Sequence, residues 1–211
     1  MNGITEKNTE KYLYALLPRR DAILREMERY AAKHHVPIVG PACGRLLHQL
    51  ARMIGARRVF EMGSAIGYST LWLARAVGPG GTVFYTDGDP ANARRAEDYL
   101  RRAGVFDRVR ILQGDALQLL KSTEGDFDLI FNDVSKTQYP EAFRLALPRL
   151  RSGGLFITDN VLWSGRAAKL ASKRDTEALA IQKFNRLVYR SPELFTTIVP
   201  LRDGFAVCLK N

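Results

Sequence analysis

Cysteine is scarce in this sequence: Cys43 and Cys208 are the only two among 211 residues, and they do not form a C-x-x-C pair. This usage suits a reducing compartment and argues against a zinc site built from thiolates. Long apolar runs are also lacking, since no segment approaches the roughly 18 apolar residues of a membrane span. Residues 1–11 are polar, unlike a signal peptide. We therefore expect a cytoplasmic protein without a membrane segment.

Acidic residues are outnumbered, with 22 Asp and Glu against 32 Lys and Arg, so the formal net charge is +10. A protein of this charge attracts anions in general. An arginine-rich soluble surface would account for the excess, and so would an anionic partner such as RNA or a phosphate-bearing small molecule. The charge alone leaves both explanations open.

The length of 211 residues and the hydrophobic content of 46% suit one globular domain spanning residues 1–211. Strands are predicted over residues 57–62, 82–86, 109–112, 127–131, 155–158, 195–200 and 205–209. Helices are predicted over residues 9–34 with a break at Pro18, 44–54, 67–77, 90–104, 116–120, 139–150 and 176–189. The alternation after residue 57 predicts βαβ units, and therefore a parallel sheet between helices. The last two strands are close enough in sequence to form an antiparallel hairpin.

A glycine-containing turn, Glu61 to Ser69, follows the first predicted strand and leads into a helix. Its glycines, Gly63 and Gly67, are four residues apart and do not form the G-x-G-x-x-G fingerprint, which weakens an NAD or FAD interpretation. A turn at this place lets the backbone and a helix N-terminus approach a nucleotide-like cofactor, and Ser64 belongs to it. The glycines would also be explained by the turn alone.

Asp87 ends the second predicted strand and strengthens the cofactor interpretation. A carboxylate at that position can accept hydrogen bonds from both hydroxyls of an adenosine ribose. The alternative role is helix capping, which fits Asp89 better, because Asp89 immediately precedes Pro90 at the start of a predicted helix.

Two further acids follow neighbouring predicted strands: Asp133 ends the fourth, and Asp159-Asn160 ends the fifth. Ligation by oxygen alone suits Mg²⁺, Mn²⁺ or Ca²⁺ rather than zinc. An ion held there would leave positions for a substrate with two adjacent oxygens and would lower the pKa of a hydroxyl. Lys136, three residues after Asp133, could then accept the proton. The alternative interpretation of Lys136 alone is a solvent-exposed loop lysine. The alternative for Asp159-Asn160 alone is a turn at the end of a strand.

At these residues the chain resembles the cation-dependent, S-adenosylmethionine-dependent O-methyltransferases, which include catechol and caffeoyl-CoA O-methyltransferases and small bacterial relatives. The likeness extends from about Val36 to Leu209. Its specific pieces are Val59 to Gly63 with Gly67-Tyr68-Ser69, Asp87 with Pro90, Asp133 with Lys136, Ile157 to Trp163, and Pro200 with Asp203-Gly204. The resemblance implies an α/β, Rossmann-like class I methyltransferase fold, with a seven-stranded, mostly parallel sheet that carries helices on both faces and ends in an antiparallel hairpin. Residues 1–56 would then form part of the cover over substrate and cofactor, and residues 57–211 the sheet core.

The resemblance also implies roles for individual residues. Asp133, Asp159 and Asn160 would hold Mg²⁺, or Mn²⁺ or Ca²⁺ in its place, and Lys136 would be the catalytic base beside Asp133. The residues expected at the S-adenosylmethionine site are Val39, Glu61, Gly63, Ser64, Gly67, Ser69, Asp87, Ala116 and Asp133. Many bacterial relatives have D-A-D-K where this chain has Asp133-Val134-Ser135-Lys136, so a second acid is missing here. Catechol-type members lack it too, and we therefore expect metal binding to be retained.

Three functions remain open from the sequence. The first is methylation of a hydroxyl on a catechol-like or vicinal-diol small molecule, with the substrate entrance at the N-terminal helices and the loop 163–174. The second is methylation of a hydroxylated uridine in transfer RNA, which the positive charge keeps in consideration. The third is a nucleotide-binding regulatory domain without catalysis. Homodimers are common in the family that the chain resembles, so a homodimer is expected.

Overall fold

Residues 4–211, which the computed structural model describes, contain seven strands and eight α-helices. The strands are β1 (Arg58–Met62), β2 (Thr82–Asp87), β3 (Val109–Gln113), β4 (Phe127–Asn132), β5 (Leu150–Thr158), β6 (Leu194–Val199) and β7 (Phe205–Lys210). The helices are α1 (Lys7–Ala15), α2 (Ala22–His34), α3 (Gly40–Met53), α4 (Tyr68–Val77), α5 (Pro90–Arg102), α6 (Ala116–Ser122), α7 (Tyr139–Ala146) and α8 (Thr176–Arg190). Residues 1–3 lie outside the described residues. They belong to the predicted domain 1–211 and to the polar segment 1–11.

The strands form one sheet in the order β3-β2-β1-β4-β5-β7-β6. β2 is parallel to both β1 and β3, and β4 is parallel to β5. β7 runs antiparallel to β5 and to β6, so the predicted C-terminal hairpin is confirmed. The mostly parallel, seven-stranded α/β sheet agrees with the fold class that the sequence pattern indicated.

The chain forms two compact units. The glycine-turn unit, residues 17–124, contains α2 to α6 and β1 to β3. Its core includes Val59 and Phe60 of β1, Tyr85 of β2 and Leu71 of α4, all fully buried. The carboxylate unit, residues 4–16 and 125–211, contains α1, α7, α8 and β4 to β7.

Aromatic packing dominates the core of the carboxylate unit. Phe184 of α8 lies edge-on to Phe156 of β5, with ring centroids 6.2 Å apart, and to Tyr139, 5.5 Å away. Phe131 of β4 stacks on Phe205 of β7 with centroids 6.1 Å apart. Such pairs add favourable geometry to the burial of a large apolar area, which fixes the strand ends from which the polar residues project.

Local sequence signals account for several element boundaries. The helical pattern of residues 9–34 is divided into α1 and α2 around Pro18, as expected, and Asp21 begins α2 by accepting from the backbone N of Ile23 and Leu24 at 3.0 and 3.1 Å. Asp89 caps α5, since its carboxylate accepts from the backbone N of Ala91 at 2.8 Å. The capping role assigned to Asp89 rather than Asp87 is therefore confirmed.

Three predicted boundaries are wrong by four residues or more. The first is the end of α7, which lies at Ala146 rather than at residue 150. α3 begins at Gly40, not at residue 44, because Pro41 occupies the first turn, where a missing N–H costs nothing. β5 begins at Leu150, not at residue 155, so the Ser152-Gly153-Gly154 segment lies within the strand. Its register against β4 shifts between Phe127 and Leu129, which absorbs the extra residues as a bulge does.

Among the helices of residues 4–211, none has the length and apolar character needed to cross a membrane.

Candidate functional site

The glycine turn that follows β1 is held by a dense set of hydrogen bonds within its unit. Ser64 N donates to the carbonyl of Thr86 at 2.9 Å, and Ser64 Oγ donates to Glu61 Oε2 at 2.7 Å. Gly63 and Gly67 have φ values of 83° and 82°, a region that glycine enters without steric cost. A Cβ on Gly67 would also lie 2.9 Å from the Cβ of Ala96. Both glycines are therefore needed by the backbone path of the turn.

Asp87 ties the end of β2 to this turn. Its Oδ2 accepts from the backbone N of Ala65 at 2.9 Å, and its Oδ1 accepts from the backbone N of Asp89 at 2.8 Å and from Asn92 Nδ2 at 3.2 Å. A carboxylate has about four lone-pair directions, so these three bonds leave acceptor capacity for a ligand hydroxyl. The position at the carboxyl end of a parallel strand is where open α/β sheets bind ligands.

The other predicted cofactor residues of this unit occupy different environments. Glu61 is fully buried within β1, and its Oε2 also accepts from Thr70 Oγ1. Ser69 is buried on the first turn of α4, and Val39 is buried at the N-terminal end of α3. Ala116 is the first residue of α6, after Asp115, which caps that helix. Glu61 thus acts on the turn through Ser64 rather than presenting an exposed carboxylate.

In the carboxylate unit, Asp133 and Lys136 form an ion pair directly after β4. Lys136 Nζ donates to Asp133 Oδ1 at 2.9 Å, and the lysine side chain is only 12% exposed. The ammonium also lies 5.1 Å from the ring centroid of Tyr139 and 5.6 Å from that of Trp163. Lys136 is therefore not the exposed loop lysine of the alternative interpretation.

Asp159 and Asn160 follow β5, which pairs with β4 so that Asn132 is opposite Thr158. Asp159 is 1% exposed, and its Oδ1 accepts from the backbone N of Asn160 at 2.7 Å. Asn160 has φ 58°, a left-handed conformation that asparagine tolerates better than most residues. The strand pairing thus brings the predicted oxygen ligands to the same edge, as expected.

Burial and mutual repulsion shape the electrostatics of these acids. Burial raises the pKa of Asp133, although 23% of its side chain is exposed, and the Lys136 ammonium opposes the rise. Burial first, and then repulsion by Asp133, raises the pKa of Asp159 to about 7, against the attraction of Arg202. A half-buried and a buried carboxylate that repel each other are stabilised by positive charge nearby.

The oxygen ligands fit a hard divalent ion, with one condition. Within residues 4–211 no three His, Cys, Asp or Glu side chains are grouped as a metal site, so the predicted set depends on the amide of Asn160 beside Asp133 and Asp159. Carboxylate and amide oxygens are the ligands that Mg²⁺, Mn²⁺ and Ca²⁺ prefer. The donor chemistry of these residues thus suits a hard divalent ion, and binding of the ion stays a prediction.

Two residues at this cluster carried no signal in the sequence. Tyr139 is fully buried, its hydroxyl donates to the Asp159 carbonyl at 2.8 Å, and burial raises its pKa well above the usual value. Arg202 Nη1 donates to Asp159 Oδ2 at 3.0 Å across 43 positions of sequence. Arg202 lies in the short turn before β7. Asp203-Gly204 of that turn belongs to the family likeness, but nothing in the sequence places Arg202 beside Asp159.

The predicted loop 163–174 borders an open cavity of about 560 Å³. Its lining includes Thr137, the residue after Lys136, together with Arg166, Ser172 and Arg174. The first part of this loop is a 3₁₀ segment, Trp163–Ala168, kinked at Ser164 and Gly165. That this loop borders a substrate entrance stays a prediction.

Comparison with known proteins gives consistent results. A family model described as O-methyltransferase matches residues 17–211. A catechol O-methyltransferase of Niastella koreensis is 32% identical over 99% of this chain and 99% of its own length. One of Mycobacterium tuberculosis is 37% identical over 79% of this chain and 77% of its own.

Among solved structures, an O-methyltransferase from Bacillus cereus in complex with SAH matches with a TM-score of 0.87. The two sequences are 31% identical, and the match covers 97% of each chain. The agreement over nearly the whole length confirms the class I methyltransferase fold.

Proposed function

The chain belongs to the O-methyltransferase family, and on that premise we propose that it methylates a hydroxyl of a catechol-like or vicinal-diol small molecule. S-adenosylmethionine would be the donor, and a divalent ion would assist. The observation that carries the proposal is the cluster in which Asp133, Lys136 and Asp159 are brought together at the ends of β4 and β5. The relatives named catechol O-methyltransferase support the acceptor class.

The donor is assigned to the glycine-turn unit. Asp87 would accept hydrogen bonds from the ribose hydroxyls, and the turn at Gly63 and Ser64 would bring backbone N–H groups to the ligand. The hydrogen bonds of Ser64 to Thr86 and Glu61 preorganise this turn before any ligand binds. Little reorganisation is then needed when the donor arrives.

The ion is assigned to the carboxylate unit, where Asp133, Asp159 and Asn160 would hold it. When bound, such an ion lowers the pKa of an acceptor hydroxyl and fixes its orientation. Lys136 would first release a proton from its ammonium group to water, and the neutral amine would then take the hydroxyl proton. The acceptor oxygen would form its bond to the methyl carbon as the bond between that carbon and the donor sulfur breaks. The rings of Tyr139 and Trp163 confine the Lys136 nitrogen to the cluster.

A screen with labelled methyl donor tests the proposal. Catechols, hydroxycinnamoyl-CoA esters and undermodified transfer RNA should be compared with and without a chelator. We expect label in the catechol-type acceptors, loss of transfer on chelation, and recovery with Mg²⁺ or Mn²⁺. Asp159→Asn should abolish the recovery, whereas Asp128→Asn, which removes a carboxylate paired with Arg151 in the same unit, should not.

Each other result points elsewhere. If the rate of methyl transfer were the same with and without the chelator, the reaction would not depend on a divalent ion. Label found only in transfer RNA would select the uridine alternative. Donor binding without transfer to any acceptor would favour the regulatory domain.

A further inference from the structure

Arg202 combines two unfavourable features that need an explanation. Its backbone has φ 55°, a left-handed conformation that costs a non-glycine residue free energy. Its side chain is only 14% exposed, although arginine is rarely buried unless it is paired. Both features are maintained in a tight turn closed by the hydrogen bond from Gly204 N to the Leu201 carbonyl at 2.9 Å.

The compensation for these costs is the contact with Asp159. Arg202 Nη1 donates to Asp159 Oδ2 at 3.0 Å, while Asp159 Oδ1 accepts from the backbone N of Asn160 at 2.7 Å. Both oxygens of Asp159 are therefore engaged within the carboxylate unit. The guanidinium charge attracts Asp133 as well.

A parallel arrangement exists at the other acid. Lys136 forms an ion pair with Asp133, as Arg202 does with Asp159, so each carboxylate is in direct contact with a cation. The pair of acids is thus neutralised by the chain's own side chains. A divalent ion that used Asp159 Oδ2 would meet the guanidinium on the same oxygen and be repelled by it.

We propose that Arg202 is an internal cation that competes with the divalent ion for Asp159. The site then has two states: one closed by the Arg202–Asp159 ion pair, and one in which the guanidinium has left Oδ2 and the ion is bound. The proposal rests on the function proposed above, which places an ion at Asp159. Because only the open state binds the ion, the apparent affinity is lowered by the fraction of open molecules.

Direct measurement of Mn²⁺ binding, by the loss of the free-ion paramagnetic resonance signal, tests this without any turnover. The variants are Arg202→Met and, as matched control, Arg151→Met. Methionine keeps the apolar stem and the strained backbone but brings no charge and no oxygen ligand. Arg151 forms an ion pair with Asp128 at 2.5 Å in the same unit, so its replacement removes an equal charge away from the cluster.

We expect Arg202→Met to bind Mn²⁺ at least about tenfold more tightly than the unmodified protein, because a hydrogen bond to a charged group no longer has to be broken. Arg151→Met should bind as the unmodified protein does. The rise in Tm on adding Mn²⁺ should likewise be larger for Arg202→Met, since a ligand that binds only the native state stabilises it in proportion to its affinity. If Arg202→Met does not fold, Arg202→Gly, which relieves the positive φ, carries the same expectation.

The contrary outcomes are distinguishable. Equal or weaker Mn²⁺ binding by the Arg202 variants would overturn the competition while leaving the proposed ion in place. If Arg151→Met tightened Mn²⁺ binding to the same extent, the change in affinity would follow from net charge alone. That result would also overturn the competition. Absence of Mn²⁺ binding in every protein would overturn both the competition and the ion of the proposed function.

Discussion

At the scale of single residues, the surroundings of the Lys136 ammonium depend on both sequence spacing and tertiary packing. Its separation of three positions from Asp133 allows the ion pair, but the rings of Tyr139 and Trp163 confine the ammonium and leave it 12% exposed. A cation near aromatic faces and one carboxylate has few alternative positions. The nitrogen is therefore held at the cluster rather than moving in solvent.

Replacement of this lysine tests its role as base. Lys136→Met should lower kcat by about 10² to 10⁴, the usual contribution of a general base, while Mn²⁺ binding is retained. Lys183→Met, on the exposed face of α8, is the control and should leave kcat unchanged. Full activity of Lys136→Met would exclude the proton-transfer role, and loss of Mn²⁺ binding would indicate a role in shaping the ion site instead.

At the scale of elements, the contact between α3 and α4 in the glycine-turn unit depends on the absence of one side chain. A Cβ on Gly44 would lie 2.3 Å from Nε1 and 2.5 Å from Cδ1 of Trp72. Trp72 is fixed further by His48, whose Nδ1 lies 3.1 Å from the Trp72 carbonyl oxygen. Glycine at position 44 thus sets how closely the two helices pack.

Gly44→Ala should therefore destabilise the protein. Overpacking lowers the free energy of unfolding by about 1–3 kcal/mol, and the better helix propensity of alanine raises it by about 1 kcal/mol. The expected net loss is about 1 kcal/mol, visible as a lower urea midpoint at an unchanged slope. Gly88→Ala, which has open space around the new Cβ, should stay within about 0.5 kcal/mol of the unmodified protein. A stabilised Gly44→Ala would contradict the packing argument.

At the scale of the whole molecule, the net charge of +10 already counts every acid, and several arginines are also paired with acids in space. Arg102 pairs with Glu26 and Asp98, and Arg101 pairs with Glu97 at 2.6 Å. Exposed pairs of this kind contribute little to stability, but they reduce the positive field available to an anionic polymer. We therefore expect these paired arginines to belong to a solvated surface rather than to an RNA-binding surface.

Binding to transfer RNA should accordingly be weak and sensitive to salt. Phosphate contacts give a linear fall of log affinity with log salt, so any binding seen near 50 mM salt should disappear by about 200 mM. A salt titration of fluorescently labelled transfer RNA measures this, with a scrambled RNA of the same length as control. Binding that persists at about 200 mM salt and prefers the transfer RNA would support the uridine alternative.

The homodimer stays a prediction, to be measured by light scattering.

Much of the architecture and the site followed from local patterns. The alternation of strands and helices predicted the sheet, and Pro18 and Asp89 marked a helix break and a helix start that the structure contains. Asp133 and Asp159 could be assigned to one sheet edge because parallel neighbouring strands end on the same side. Their roles as ligands, and those of the predicted cofactor residues, remain predictions.

The sequence by itself determined which residues could meet their partners within one element or one turn, such as Asp133 with Lys136, because short spacing limits the possible contacts. Only the tertiary structure decided the contacts across long separations. Arg202 reaches Asp159 over 43 positions because β7 pairs with β5 and carries its turn to that strand's end. Gly44 approaches Trp72 because two helices pack side by side. Such contacts depend on register and packing, which residue types and spacing alone do not specify.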